Sequence, residues 1–426
     1  MKIQCWRCEG DGAVALAVGE KTVRIPWAAY FGDIELELTF PAEWDVTVYP
    51  PADGPDIGEE GIAQAFAGPI GTPRLAELAR GRRSAVIVVD DLSRPTPAHR
   101  LVPRILAELE AGGVSRDRTL ILMGVANHRP LTREDMVKKL GEEVVSSVRV
   151  KNHFSWAHCE YIGTTSRGTP VALNKDFLAA DLKILVGSIV PHGKPGFAGG
   201  AKLVLPGVAS IDTAYAWHGP NGPPGGLMKV ETEARLDAEE AARMAGVDAI
   251  VNVIPNSRRG IAGLVVGDLV AAHRAGVAIA QRVFATQVPA GVDIGVFTAY
   301  PKDTEYCQLS LAFNVWWSAP EPIVHEHGTI VACTAASEGP GFHSLMGPGM
   351  RLGGEWGAMR NLRRPFMPRQ MVVFAPGICE HDLSPEARAE MTLCRTWAHA
   401  LARLRELHGT YARVAVFPCS AIQLAG

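Results

Sequence analysis

Short, continuous apolar runs recur along this chain, each closed by a polar loop rich in glycine or proline. Ala85–Val89, Leu120–Met123, Leu182–Val190 and Ala249–Ile254 are such runs. They are short, and β-branched residues are frequent in them, the pattern of strands buried on both faces. Between the first two lies a helical repeat. Leu101, Val102, Ile105, Leu106 and Leu109 make one apolar face, and Gly112-Gly113 stops it. Thr96 is placed to cap that helix, with Pro97 in its first turn. A right-handed crossover makes the flanking strands parallel. Further helices are predicted over 60–67, 131–140 (capped through Thr132), 238–245 and 269–281, with a β segment over 262–266.

The two ends of the chain read differently. Residues 22–25 and 34–40 alternate like an antiparallel flap, and 46–49 adds a further strand before Pro50-Pro51. Beyond Phe284, strands are predicted at 294–297, 328–333, 371–374 and 414–417, with helices over 307–317 and 385–407. The expected fold class is α/β: two α/β domains, 1–283 and 284–426, with mostly parallel sheets and an interdomain active-site cleft.

Composition narrows the function. The chain has 426 residues, 47% hydrophobic and 20% charged, with a net charge of −3. No basic block offers a nucleic-acid stripe, and no apolar stretch reaches membrane-span length. The first residues lack the apolar core of a signal peptide, so a cytoplasmic protein is expected. Eight cysteines are scattered too sparsely for a disulfide framework. Cys5 and Cys8 form a lone CxxC without a matching second pair, which predicts neither zinc nor redox chemistry.

The candidate chemistry sits just past the strands. His128 follows one run, in Asn127-His128-Arg129-Pro130, and His192 follows another, in Pro191-His192-Gly193-Lys194. Ligands of parallel α/β sheets bind beyond the carboxyl ends of the strands. Both imidazoles are therefore expected at one cleft, as bases on two faces of a carbon centre or as strand caps satisfied by backbone. Histidine suits proton transfer near neutral pH. Lys202 follows Gly199-Gly200, a segment whose backbone can approach a phosphate closely; a loop lysine in solvent is the alternative. Asp91 and Arg94 share a proline-rich loop, where Arg94 can clamp a carboxylate or phosphate or merely pair with Asp91. His218 alone carries little information. His325 and His327 are read as flanking a solvated turn, with a metal site on a strand as the alternative.

Taken in order, these segments resemble the nickel-pincer lactate racemase family. The motifs are Asp91-Leu92-Ser93-Arg94-Pro95-Thr96-Pro97, His128-Arg129-Pro130, and His192 followed by Gly-Phe-Ala-Gly-Gly-Ala-Lys202 and Leu-Pro-Gly, with His218 sixteen residues after the lysine. The resemblance implies a nickel ion in a pyridinium-3,5-bisthiocarboxylic acid mononucleotide, tethered to Lys202 as a thioamide and coordinated by His218. It implies His128 and His192 as the acid/base pair, with Asp91, Arg94, Gly199 and Gly200 near the cofactor. The implied activity is racemisation or epimerisation at C2 of a 2-hydroxy acid by hydride relay, and the implied partners are that substrate and, transiently, the enzymes that make the cofactor. A positioned base alone contributes about 10²–10⁴-fold, so an electron sink is needed for an unactivated C–H bond.

This chain departs from the family pattern at three places. Ala126-Asn127 stands for the usual Gly-Thr before the first histidine, and Ala201 for the usual arginine before the lysine. If Gln308 is the family's substrate glutamine, its lysine partner is replaced by Leu311. Arg94 or Lys302 is then the candidate carboxylate contact. Phe313, Trp316 and Trp317 suggest a larger, more apolar substrate, and Gly339-Pro340-Gly341-Phe342-His343 is a candidate pocket segment. Two rivals remain. An NAD-linked 2-hydroxy acid dehydrogenase lacks its early G-x-G-x-x-G here. A non-catalytic small-molecule binding protein of the same fold would have no need to keep both histidines and Lys202.

Overall fold

The computed structural model describes residues 21–346, 350–352 and 362–426, so Cys5 and Cys8 lie outside the described residues. In chain order the strands are β1 (Lys21–Trp27), β2 (Ile34–Phe40), β3 (Asp45–Val48), β4 (Ala85–Asp90), β5 (Thr119–Gly124), β6 (Arg149–Asn152), β7 (Cys159–Thr164), β8 (Pro170–Asn174), β9 (Leu182–Ser188) and β10 (Pro191–His192). They continue as β11 (Gly196–Phe197), β12 (Ala249–Pro255), β13 (Ile261–Gly267), β14 (Ala285–Thr286), β15 (Val292–Thr298), β16 (Val324–Cys333), β17 (Gln370–Phe374), β18 (Thr392–Cys394), β19 (Arg413–Phe417) and β20 (Leu424–Ala425).

Two six-stranded sheets carry the molecule. The first has the order β13-β12-β9-β4-β5-β6 and is parallel except for the edge strand β13. Successive residues of its strands face opposite ways, and helices cover both sides. Ile87, Val89, Ile121 and Met123 pack with Leu101, Ile105 and Leu109 of the helix Ala98–Ala111. Val86, Val88, Leu120 and Leu122 share a core with the alanine-rich helix Glu233–Met244 and with Val277 and Ala280. Each such side chain, fully removed from water, contributes about 1.5–3 kcal/mol.

The second sheet, β18-β17-β16-β15-β19-β3, is parallel throughout. Its edge strand corrects the division at residue 283. β3 was expected in the antiparallel flap, but it pairs in parallel with β19, and Ile25, Trp27, Leu38, Phe40 and Trp44 pack on the second sheet. The flap is only β1 with β2. Local alternation marks a half-buried strand but does not name its partner.

Four local expectations also change. Thr96 does not cap its helix: Pro97 is at the cap without a side-chain bond, and the Thr96 hydroxyl donates to Asp90 Oδ2 at 2.6 Å. The stretch 307–317 is a 3₁₀ turn, Tyr306–Phe313, running into a short helix, Asn314–Ser318. The stretch 385–407 is two helices, Pro385–Glu390 and Trp397–His408, separated by β18, which pairs with β17. His325 and His327 lie within β16 rather than at a turn, and His325 Nε2 is 3.0 Å from Asp293 Oδ1. Among the described residues, no helix is long and apolar enough to cross a membrane.

Candidate active site

The site forms where strand order reverses in the first sheet, beyond β4, β5 and β9. After β4, Asp91 is buried and accepts from the Ser93 amide at 2.8 Å. Its other oxygen, Oδ2, lies 2.8 Å from His128 Nδ1. An ionised carboxylate only accepts, so this contact puts the His128 proton on Nδ1 and leaves Nε2 open as a base. Burial alone would raise the Asp91 carboxyl, but the charges of His128 and Arg94 outweigh it and hold the group well below its usual range. Of the two readings of this loop, the local Asp91–Arg94 pair gives way to an Asp–His pair reaching across two loops. Arg94 instead reaches the second domain, where its Nη1 donates to Gln308 Oε1 at 3.3 Å.

Buried groups hold this loop from behind. Lys139 is fully buried, and its Nζ lies 2.8 Å from Asp90 Oδ1. The same ammonium donates to the carbonyls of Asp91 at 2.8 Å and Arg94 at 2.9 Å. Tyr30, from the flap, donates to the carbonyls of Arg94 and Thr96 and receives a bond from Lys139. Nothing in the local sequence marks Lys139 for this task; a lysine on the inner face of an amphipathic helix is the only signal.

After β5, the turn to His128 passes through Ala126 at φ 52°, whose amide donates to Gly207 O at 3.0 Å. An alanine here accepts a backbone shape that glycine adopts more readily.

After β9, the hairpin β10–β11 carries His192. Its Nδ1 accepts from the Lys194 amide at 3.1 Å. The neutral ring therefore carries its proton on Nε2, the opposite tautomer to His128. Burial, then the charges of Lys202, Lys302 and Arg94, hold His192 well below the usual imidazole value. Gly199 at φ 74° and Gly200 at φ 56° turn the chain, and a Cβ on Gly199 would meet Asn252 Oδ1 at 2.8 Å. Lys202 follows them. Burial, then Arg94 and Lys302, push its amine well below the usual lysine value. The amine makes no hydrogen bond among the described residues, while the Lys202 backbone bonds Gly199 O and the Gly207 amide. His218 ends the helix Ile211–His218, and its Nδ1 lies 3.2 Å from Ala214 O. That contact leaves Nε2 as the lone-pair nitrogen, the arrangement of a ligand-ready imidazole. Burial first, then Lys202, lowers its pKa to about 3.

One cavity of about 200 Å³ is lined by His128, His192, Lys202, His218, Arg94 and Gln308, together with Leu311, His343 and Met346. A second hollow beside it is lined by Asp90, Asp91, Ser188, Gly199 and Lys202. Ser188 Oγ is buried and has no hydrogen-bond partner. Lys202 borders both spaces. Gly200 lines neither of them; its amide bonds Asn252 Oδ1 at 2.6 Å. Lys302 is buried behind the cavity and donates to Pro191 O at 3.2 Å. Trp316 is not at the site. Its ring packs on Phe297 and Phe366, centroids 6.1 and 5.3 Å away. Phe313 is buried in that same core, and Trp317 stacks on Phe366. The expected aromatic substrate wall is therefore part of the second domain's packing, because the 3₁₀ turn directs those rings away from the cleft. Met346 and Ser188 went unremarked in the sequence, each being one apolar or polar residue in a loop or strand end.

Comparison with known proteins gives a consistent picture. A family model described as the lactate racemase N-terminal domain matches residues 31–221. A lactate racemase of Lactiplantibacillus plantarum is 31% identical over 391 residues, covering 84% of this chain and 89% of that protein. A lactate racemase of Thermoanaerobacterium thermosaccharolyticum is 30% identical over 292 residues, covering 66% of this chain and 67% of that protein. The solved lactate racemase apoprotein from Thermoanaerobacterium thermosaccharolyticum has a TM-score of 0.75 at 24% identity, over 95% of this chain and 100% of that one. A protein from Thermotoga maritima has a TM-score of 0.63 at 16% identity, over 86% and 98% of the two chains. At these identities the two solved structures bear on the fold alone.

Proposed function

Because this chain belongs to the lactate racemase family, we propose that it inverts C2 of a 2-hydroxy acid with His128 and His192 as the acid/base pair. It is an isomerase of the racemase type. The observation that carries the finer reading is the pair of opposite tautomers on one cavity. His128 is held at Nδ1 by a carboxylate and His192 at Nδ1 by a backbone N–H.

In this reading the substrate carboxylate docks on Arg94 and Gln308; Lys302, behind them, is a poor source of charge, because burial pushes its amine well below the usual lysine value. Nε2 of His128 takes the C2 hydroxyl proton, and Asp91 stabilises the imidazolium that results. As C2 is rebuilt on its other face, His128 gives the proton back to the oxygen, while neutral His192, which carries its proton on Nε2, donates a hydrogen bond to it. For the other enantiomer His192 serves as the base in its Nδ1–H tautomer, giving up the bond from the Lys194 amide. The cavity between the two domains limits water around the keto form.

The residues also fit the family's nickel-pincer nucleotide. Among the described residues, no three His, Cys, Asp or Glu side chains could hold a metal ion. A group that brings its own sulfur and carbon donors needs only one imidazole, and His218 offers an open Nε2. Lys202 has a buried, unbonded amine whose pKa burial pushes well below the usual lysine value, which favours the neutral form that a thioamide tether requires. The buried, unpartnered Ser188 hydroxyl and the Gly199 turn line the hollow available to the nucleotide. When bound, the group would supply the acceptor for the α-hydrogen and its electron pair.

The test is intact mass and nickel content of protein co-expressed with cofactor-synthesis enzymes, for wild type and Lys202→Ala. A mass adduct with stoichiometric nickel, both absent in the variant, is expected. An unmodified mass despite active cofactor synthesis would overturn the pincer reading. Racemisation of a 2-hydroxy acid panel by the loaded protein then tests the activity.

A further inference from the structure

We propose that His343 sets substrate specificity, by hydrogen-bonding an acceptor oxygen carried on C3 or C4 of the substrate; the inference rests on the 2-hydroxy acid reading above.

The first domain's polar groups at the cavity already have tasks: His128 and His192 at the oxygen, Arg94 at the carboxylate, Lys202 and His218 at the cofactor. The remaining wall comes from the second domain, and includes Gln308, Leu311, His343 and Met346. Leu311 and Met346 would be enough for a substrate that ends in a methyl group. His343 is superfluous for such a substrate. Its Nδ1 accepts from the Leu345 amide at 3.3 Å, so the neutral ring carries its proton on Nε2. That N–H has no hydrogen-bond partner among the described residues. Against a methyl group it would stay unpaired and desolvated; against an oxygen it is satisfied.

The ring is also placed, not merely nearby. Its centroid is 5.7 Å from that of His128, with the planes tilted by 55°. It therefore stands beside the base that works at C2, at the range of the next carbons. The following residue pins the loop to the first domain: Ser344 N donates to Asn127 O at 2.7 Å, and Ser344 Oγ to Asn127 Oδ1 at 3.2 Å. Leu345 is fully buried against Ile211 and Ala214 of the helix that ends in His218. The loop opens on Glu338, which pairs with Arg129, the residue after His128. Burial, then His128 and His218, push the His343 pKa down to about 2, so it acts as a neutral donor at working pH. No carboxylate lines the cavity among the described residues, and Arg94 faces it. The second oxygen can therefore be a hydroxyl or a carboxylate.

The experiment measures binding of lactate, glycerate and malate by calorimetry, and their racemisation by chiral chromatography. It uses cofactor-loaded wild type, His343→Phe and His343→Gln. Lactate lacks the second oxygen, glycerate supplies a hydroxyl and malate a carboxylate. Wild type is expected to favour glycerate or malate over lactate by about tenfold in Kd and in kcat/KM. His343→Phe should erase that preference, with losses about tenfold larger for glycerate and malate than for lactate, and His343→Gln, which keeps a donor, should restore part of it. Wild type without the preference would overturn the proposal, as would equal losses for all three acids in His343→Phe. A preference seen in binding with no racemisation of any acid would count against the racemase reading and not against the role of His343.

Discussion

The two sheets are built alike and serve differently. Each has six strands, each is mostly parallel, and each sends loops from its carboxyl ends into one cleft. The loops of the first sheet are tied down by buried charge: Asp91 on His128, and Lys139 on Asp90 and two carbonyls. Those of the second offer an amide, Gln308, an apolar side chain, Leu311, and an imidazole, His343. The fold alone therefore does not decide where chemistry resides. It resides where the side chains behind a loop leave one atom of each functional group in one place. The first domain is expected to govern the rate of the chemical step, and the second the choice of substrate.

The largest effect should come from the histidines. His128→Ala and His192→Ala should each lower kcat by about 10²–10⁴-fold, followed by polarimetry, with cofactor loading by mass unchanged. Comparable losses from a second-domain residue such as Gln308 would break the division. Next, Lys139→Met leaves Asp90 buried without its cation. It should destabilise the protein by about 3–5 kcal/mol, read from chemical denaturation. Asp91→Asn keeps the shape of its side chain but offers His128 an amide that can donate. A fall of about 10²-fold in kcat is expected, as a wrong tautomer is held, with KM nearly unchanged. Gln308→Leu should do the reverse, raising KM about tenfold with kcat little altered.

The smallest effect is one of pH. His153 is buried, bonds Ala209 O through Nε2, and has a pKa lowered by burial from 6.5 to about 4. The unfolded chain takes up a proton in that window and the folded chain does not. Its contribution to stability is thus complete above pH 6.5 and is lost as pH falls to about 4. The slope is at most about 1.4 kcal/mol per pH unit. Denaturation curves across that range should show a shallower slope for His153→Gln than for wild type.

Much of the first sheet was legible because strands buried on both faces write themselves as unbroken apolar runs. β4 and β5 could be read from such runs, and β9 and β12 from runs broken only by Lys183, Gly187, Ser188 and Asn252; His128 and His192 stand out because they follow such runs. What the local pattern does not contain is pairing over distance. Asp91 has Arg94 three residues away, yet burial beside His128 decides its partner. Trp316 has the chemistry of a substrate wall, yet the 3₁₀ turn before it sends the ring into a core. His343 could be suspected only from its glycine-rich setting; the orientation of its ring depends on Asn127, Ser344 and Leu345 meeting across the cleft.

β3 belongs to the second sheet, so the chain passes between the two domains twice, once on leaving β3 and once on returning at β14. The two passages run together: Ala52 N donates to Ala285 O at 2.7 Å and Asp53 N to Val283 O at 2.8 Å, while β14 pairs with β20. A single connector would act as a ball joint, leaving one domain free to swivel and tilt on the other. Two connectors bonded side by side act as a hinge with one axis. Were the cleft to open about that axis, Arg94 would part from Gln308 and Asn127 from Ser344 along one arc, and the same arc would bring each pair back into register.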